Sequence, residues 1–113
     1  MVKIVNLYSG ADGESHLRDI EIPLEGEKGD LRSLPIKVAD AFFREDIGGG
    51  EGRWHRAPRR QYIIMLEGEL EIEVGDGTKR RLGPGEILLV EDTTGLGHIS
   101  RSFNRKCLIV PLI

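Results

Sequence analysis

Cysteine occurs once in the 113 residues, and aromatic residues make up only 5% of them. A single thiol excludes an intrachain disulfide. It stands in the apolar run Cys107 to Val110, where a buried small hydrophobe is the expected role and a nucleophile is not. Long apolar stretches are missing as well, since the longest uncharged one, Cys107 to Ile113, is far too short to span a bilayer. The start, Met1 to Asn6, carries no apolar stretch of signal-peptide length, so the cytoplasm is the expected location, with no membrane as partner. An excess of one charge is also lacking. The formal net charge is −3 with both signs mixed over most of the chain, which offers nucleic acid no attracting field and argues against it as a partner.

Internal repeats and linkers are absent too, and helical spacing is almost so. A chain of this length buries about 65% of its unfolded surface, enough for one core. One domain over residues 1–113 is therefore expected. What the sequence does contain is period-2 alternation. In Glu69 to Val74 the residues Leu70, Ile72 and Val74 point one way and three glutamates the other, as in a half-buried strand. Gly75-Asp76-Gly77 and Thr78 to Leu82 follow, which is a hairpin signal. Charge fixes its register. A three-residue loop sets Val74 opposite Thr78, Glu73 opposite Lys79, Glu71 opposite Arg81 and Leu70 opposite Leu82, whereas a two-residue loop would put Val74 against Lys79. The first register leaves Arg80 beside Ile72 on the inner face, where a guanidinium needs an anion or a partner.

Further strands are expected at Lys3 to Ser9, Leu17 to Pro23, Ile36 to Glu45, Gln61 to Leu66, Glu86 to Glu91, His98 to Phe103 and Lys106 to Leu112. Gly48-Gly49-Gly50 reads as a flexible loop. Many short strands joined by Gly and Pro turns indicate an all-β closed barrel or two-sheet jelly roll.

Two stretches carry a resemblance. Gly52 to Gly68 resembles the first motif of the cupin family, a His-x-His pair followed by an acidic ligand and then a glycine. His55 takes the first histidine, Ala57 the second, Gln61 the acidic position and Gly68 the closing glycine. Leu82 to His98 resembles the second motif, with Pro84-Gly85-Glu86 where cupins usually carry Pro-Gly-Asp and His98 as its histidine. The resemblance covers residues 36 to 112. It implies a double-stranded β-helix or jelly-roll barrel over those residues, entered by N-terminal strands in 1–35. It also implies a homodimer, to which outward Trp54, Tyr62 and Phe42 or Phe43 would contribute, and a divalent transition metal (Zn, Ni, Fe or Mn) in the barrel. A fully equipped cupin offers three histidines and a glutamate, while this chain offers His55, His98 and Gln61, with no donor at Ala57. The second motif also lacks its usual Pro-x-Gly, and Asp92 to Gly97 form a longer loop instead.

If Gln61 points into the barrel, alternation sends Arg59, Ile63 and Met65 inward with it, and His55 and Ala57 share that parity if the strand continues through Pro58. The expected pocket thus has His55, Gln61 and His98 as metal ligands, with Arg59, Arg80 and Met65 against a small organic anion. His16 is a candidate third histidine. Arg53, Arg56, Arg59 and Arg60 form a basic cluster, read as pocket anion binding by Arg59, as ion pairs to acidic residues of a neighbouring strand or subunit, or, least favoured, as nucleic-acid contact. Asp92, Thr93 and Thr94 read first as a turn and then as support for the site. Two functions follow. One is metal-dependent oxygenase, isomerase or lyase chemistry on a small carboxylate; the other is a non-catalytic binding or sensing module with a decayed metal site.

Overall fold

The computed structural model describes residues 1–49 and 52–113, so Gly50 of the triple-glycine loop and Glu51 lie outside the described residues. Nine strands are described: β1 (Val2–Ser9), β2 (Ser15–Ile22), β3 (Glu25–Glu27), β4 (Asp30–Arg32), β5 (Phe42–Gly48), β6 (Gln61–Glu73), β7 (Lys79–Leu82), β8 (Ile87–Glu91) and β9 (Ile99–Pro111). The main sheet runs β2-β1-β8-β6-β9-β5, with β7 also paired to β6, while β3 and β4 form a separate small hairpin. Only β1 and β8 pair in parallel; the remaining ladders are antiparallel. The chain is an all-β jelly roll, as its turn-rich alternation predicts. No helix among the described residues is long and apolar enough to cross a membrane.

The β6–β7 hairpin has the register that charge dictates, with Leu70 opposite Leu82, Glu71 opposite Arg81 and Glu73 opposite Lys79. The Val74 N–H closes it on the Thr78 carbonyl at 3.0 Å. Arg81 reaches diagonally to Glu69 at 2.9 Å, which leaves Glu71 and Glu73 to share Arg101 of β9 at 3.1 and 2.8 Å.

Two pairs of expected strands are fused. Gln61 to Leu66 and Glu69 to Val74 belong to one strand, as do His98 to Phe103 and Lys106 to Leu112. Each bends at a bulge instead of breaking. On β6 the buried side chains are Ile63 and Met65 before the bend and Leu70 and Ile72 after it, so the inward parity switches from odd to even. β9 makes the complementary switch. His98 is buried ahead of the strand, while Arg105, Cys107 and Ile109 are buried beyond the bend. The switch centres on Gly68 (φ 72°) and Asn104 (φ 49°), two left-handed residues facing each other across the ladder. Glycine is needed at 68 because a Cβ there would stand 2.2 Å from the Asn104 carbonyl oxygen.

The core lies between the inward faces, with Leu7, Met65, Leu70, Ile72, Leu82 and Leu88 among its fully buried side chains. Met65 packs there, its N–H bonded to the Glu86 carbonyl at 3.0 Å. Cys107 is buried beside these residues, in the role its apolar run predicts. The expected strand from Ile36 is shorter. β5 begins at Phe42, and Val38 makes only an isolated bridge to Leu112.

Candidate functional site

Inside the barrel lies a cavity of about 290 Å³. Ile63, Ile72, Leu88 and Val90 give it an apolar lining, Ala57 and Pro58 close one side, and its polar wall holds His55, Gln61 and His98. The three residues that the two motifs single out therefore converge. What joins the histidines is backbone: each N–H donates to the other's carbonyl at 2.9 Å in an isolated bridge, and their rings lie 4.5 Å apart. Gly97 makes this approach feasible, since a Cβ there would lie 2.1 Å from the His55 carbonyl oxygen.

Both rings are fixed through Nδ1. His98 Nδ1 donates to Asp92 Oδ2 at 2.5 Å, and the same buried oxygen accepts the Ser15 hydroxyl at 2.7 Å. His55 Nδ1 donates to the Arg53 carbonyl at 2.8 Å. These partners place the proton on Nδ1 and leave Nε2 of each ring as a free acceptor, the arrangement that suits a proton-accepting, hydroxyl-binding or metal-binding imidazole. Asp92 thus supports the site directly.

The rest of the lining was not legible in the sequence. Arg44, Asp46, Ser100, Ser102 and Arg105 line it. Asp46 gathers the group. It accepts the Gly48 N–H at 2.9 Å and the Ser102 hydroxyl at 3.1 Å, with Arg44 at 3.2 Å and Arg105 at 3.4 Å. The Gly48 N–H, then Ser102, Arg105 and Arg44, hold its carboxyl below the ordinary aspartate range. Arg105 has only 4% of its side chain exposed, and its Nε has no hydrogen-bond partner. Burial, with repulsion from Arg44, pushes its pKa down despite the nearby Asp46.

The three expected anion contacts lie elsewhere. Arg59 is exposed and donates to the Leu112 carbonyl at 3.3 Å, because the chain bends at Pro58 and Arg59 and strand alternation begins only at Gln61. Arg80 keeps its predicted register beside Ile72, but its partner is Asp19 of β2 at 2.7 Å. Met65 belongs to the core behind the cavity. His16 binds the Asp12 carboxylate at 2.9 Å, outside the cavity lining. Within the basic cluster, Arg60 pairs with Glu91 of β8 at 2.7 Å. Trp54 is half exposed, and Tyr62 faces outward into an apolar cleft with Ile4, Ile22, Ile64 and Ile87.

Among known families, the cupin domain matches residues 42–108, more than half of the chain. The chain belongs to the cupin family. A crystal structure of protein NMB1881 from Neisseria meningitidis is similar in fold, with a TM-score of 0.52 at 16% identity, covering 76% of this cupin and 91% of that chain. No curated protein matches it. In this cupin both motif histidines and Gln61 face one cavity, and the two arginines that share it lie on strands that the first motif does not include.

Proposed function

We propose that this cupin is a small-molecule-binding protein whose ligand is a hydroxylated organic compound held against His55, Gln61 and His98. The observation that carries the reading is the pair of tied Nδ1 atoms, which leaves two Nε2 acceptors beside one amide on the lining of a single cavity. Such a wall accepts hydrogen bonds from ligand hydroxyls at the imidazoles, while the Gln61 amide can both donate and accept.

The divalent metal that the family resemblance implies fits this wall poorly. His55, His98 and Gln61 are three neutral donors, and the described residues contain no group of three His, Cys, Asp or Glu side chains able to hold an ion. Two guanidinium groups line the same cavity and oppose a dication. Metal content of untagged protein is accordingly expected below about a tenth of an equivalent, with adding metal back making no difference. A stoichiometric metal lost in both His55→Ala and His98→Ala would replace this reading with a metal centre.

The chain's three histidines make the binding test direct. Hydroxylated small molecules, neutral and anionic, should move the Hε1 resonances of His55 and His98 and leave His16, which is tied to Asp12, in place. A panel in which no compound moves the two cavity histidines would remove the proposed function.

A further inference from the structure

Arg105 is the least economical residue of the fold. A buried guanidinium normally satisfies its fork with a carboxylate, yet here the nearest one, Asp46, meets a single nitrogen at 3.4 Å and also serves Arg44, Ser102 and the Gly48 N–H. Nε is left buried and unpartnered. The chain invests in putting it there, because Arg105 faces inward only through the left-handed turn at Asn104. Without that bulge, even-numbered β9 residues would stay inward and Arg105 would lie in solvent.

The charges on the cavity wall give the same direction. Arg44 and Arg105 contribute two positive charges to the lining and Asp46 one negative, so one guanidinium charge has no carboxylate to match it among the lining side chains. One carboxylate would balance it. A dianion would leave a negative charge without a partner among the lining side chains, and a neutral ligand would leave the guanidinium uncompensated.

We infer that the Arg105 wall is a carboxylate subsite, with Arg44 beside it, and that the ligand is a small hydroxy monocarboxylic acid spanning the cavity from Arg105 to the two histidines. This rests on the reading of the His55–Gln61–His98 wall as a hydroxyl-binding surface and adds the acid group to it. Arg105 supplies its guanidinium charge to the carboxylate, Ser102 lies alongside, and the apolar lining residues take the carbon skeleton. Asp46 is the counter-ion that the chain itself gives Arg105, and its grip at 3.4 Å is loose enough to be given up.

Three probes separate the two walls: 3-hydroxybutyrate, its uncharged amide 3-hydroxybutyramide, and butyrate, which lacks the hydroxyl. Titrations followed at the histidine Hε1 signals should show 3-hydroxybutyrate binding about tenfold or more tighter than the amide, as one charge-assisted pair requires. Arg105→Met should abolish that preference while leaving amide binding within about twofold. Arg105→Lys, which keeps the charge but loses the fork, should restore only part of it. Circular dichroism and the shift of His16 report whether each variant is folded. If Arg105→Met does not fold, Arg44→Ala and Arg105→Lys still decide by weakening acid binding relative to the amide. Equal affinities for acid and amide, or an acid preference that survives these changes, overturns the carboxylate subsite and leaves the hydroxyl wall standing. If neither hydroxylated probe moves His55 or His98 at tens of millimolar, the hydroxyl wall itself fails, and the inference with it.

Discussion

His98 and Asp92 are bound Nδ1 to Oδ2 at 2.5 Å with both side chains buried, and Ser15 brings a strand from the far end of the chain to the same oxygen. The contact fixes a ring at the site and also ties the loop before β9 to β2. Asp92→Ala strands two buried donors, the imidazole N–H and the Ser15 hydroxyl. The expected cost is about 3 kcal/mol of stability, read as a lower urea midpoint. Ser15→Ala removes one neutral donor and should cost about 1 kcal/mol. Equal and small effects for both variants would mean that the carboxylate is not the anchor.

Much of this was written in local pattern. The hairpin register followed from Glu73, Lys79, Glu71 and Arg81, and the convergence of His55, Gln61 and His98 followed from motif spacing. The arginine wall did not follow, and for Arg105 the reason is specific. Alternation predicts a face only within an unbroken strand, and β9 changes parity at Asn104, where the sequence was read as a break between two strands. The signal was present in outline: His98, which the second motif turns into the pocket, and the apolar residues at 107 and 109 cannot share one face without a bulge between them. Arg59 failed for the converse reason, since alternation was carried back through a bend. The small β3–β4 hairpin left no period at all.

The bulge pair gives a contrast between glycines. Gly68→Ala meets the Asn104 oxygen at 2.2 Å and the Phe103 oxygen at 2.4 Å and must also hold φ near 72°, so backbone has to move on both strands. Gly77, in the hairpin loop, has φ 87° but nothing within 4 Å of its Cβ position. Gly77→Ala should therefore cost only the left-handed penalty, about 1–2 kcal/mol. Gly68→Ala should cost more than about 3 kcal/mol or prevent folding, because the clash adds to that penalty. Thermal midpoints of the two variants in one buffer check the order.

Asp46 gives the cavity a dependence on pH. Its folded pKa is depressed, chiefly by the Gly48 N–H, so the unfolded chain takes up a proton before the folded one does as pH falls. The stability it contributes is complete above the unfolded value of about 3.9 and is lost as pH drops through the folded value. Asp12, Asp19 and Asp76 are depressed as well and add to the acid sensitivity of the whole molecule. The test is the difference. Between about pH 5 and pH 3 the urea midpoint of Asp46→Asn should fall less than that of the unaltered protein, and parallel curves would remove Asp46 from the account.

Cys107 lies two residues beyond Arg105, opposite Met65 and Arg44 on the neighbouring strands, and is 1% exposed. Two effects compete at its sulfur. The Arg105 and Arg44 cations favour the thiolate, while burial disfavours it, and burial wins, pushing the thiol pKa up. At neutral pH the sulfur is thus a protonated, packed group. A disulfide reagent such as DTNB should leave it untouched in native buffer and titrate one thiol in urea. The native labelling rate should follow the population of globally unfolded protein, since Cys107 pairs with both β6 and β5 and no local opening frees it. Cys107→Ala should then cost about 1 kcal/mol, and Cys107→Ser more, because it buries a hydroxyl among apolar neighbours. Rapid native labelling would mean that β5 separates from β9, and with it Arg44 and Asp46 from Arg105, which would make the cavity's arginine wall a mobile one.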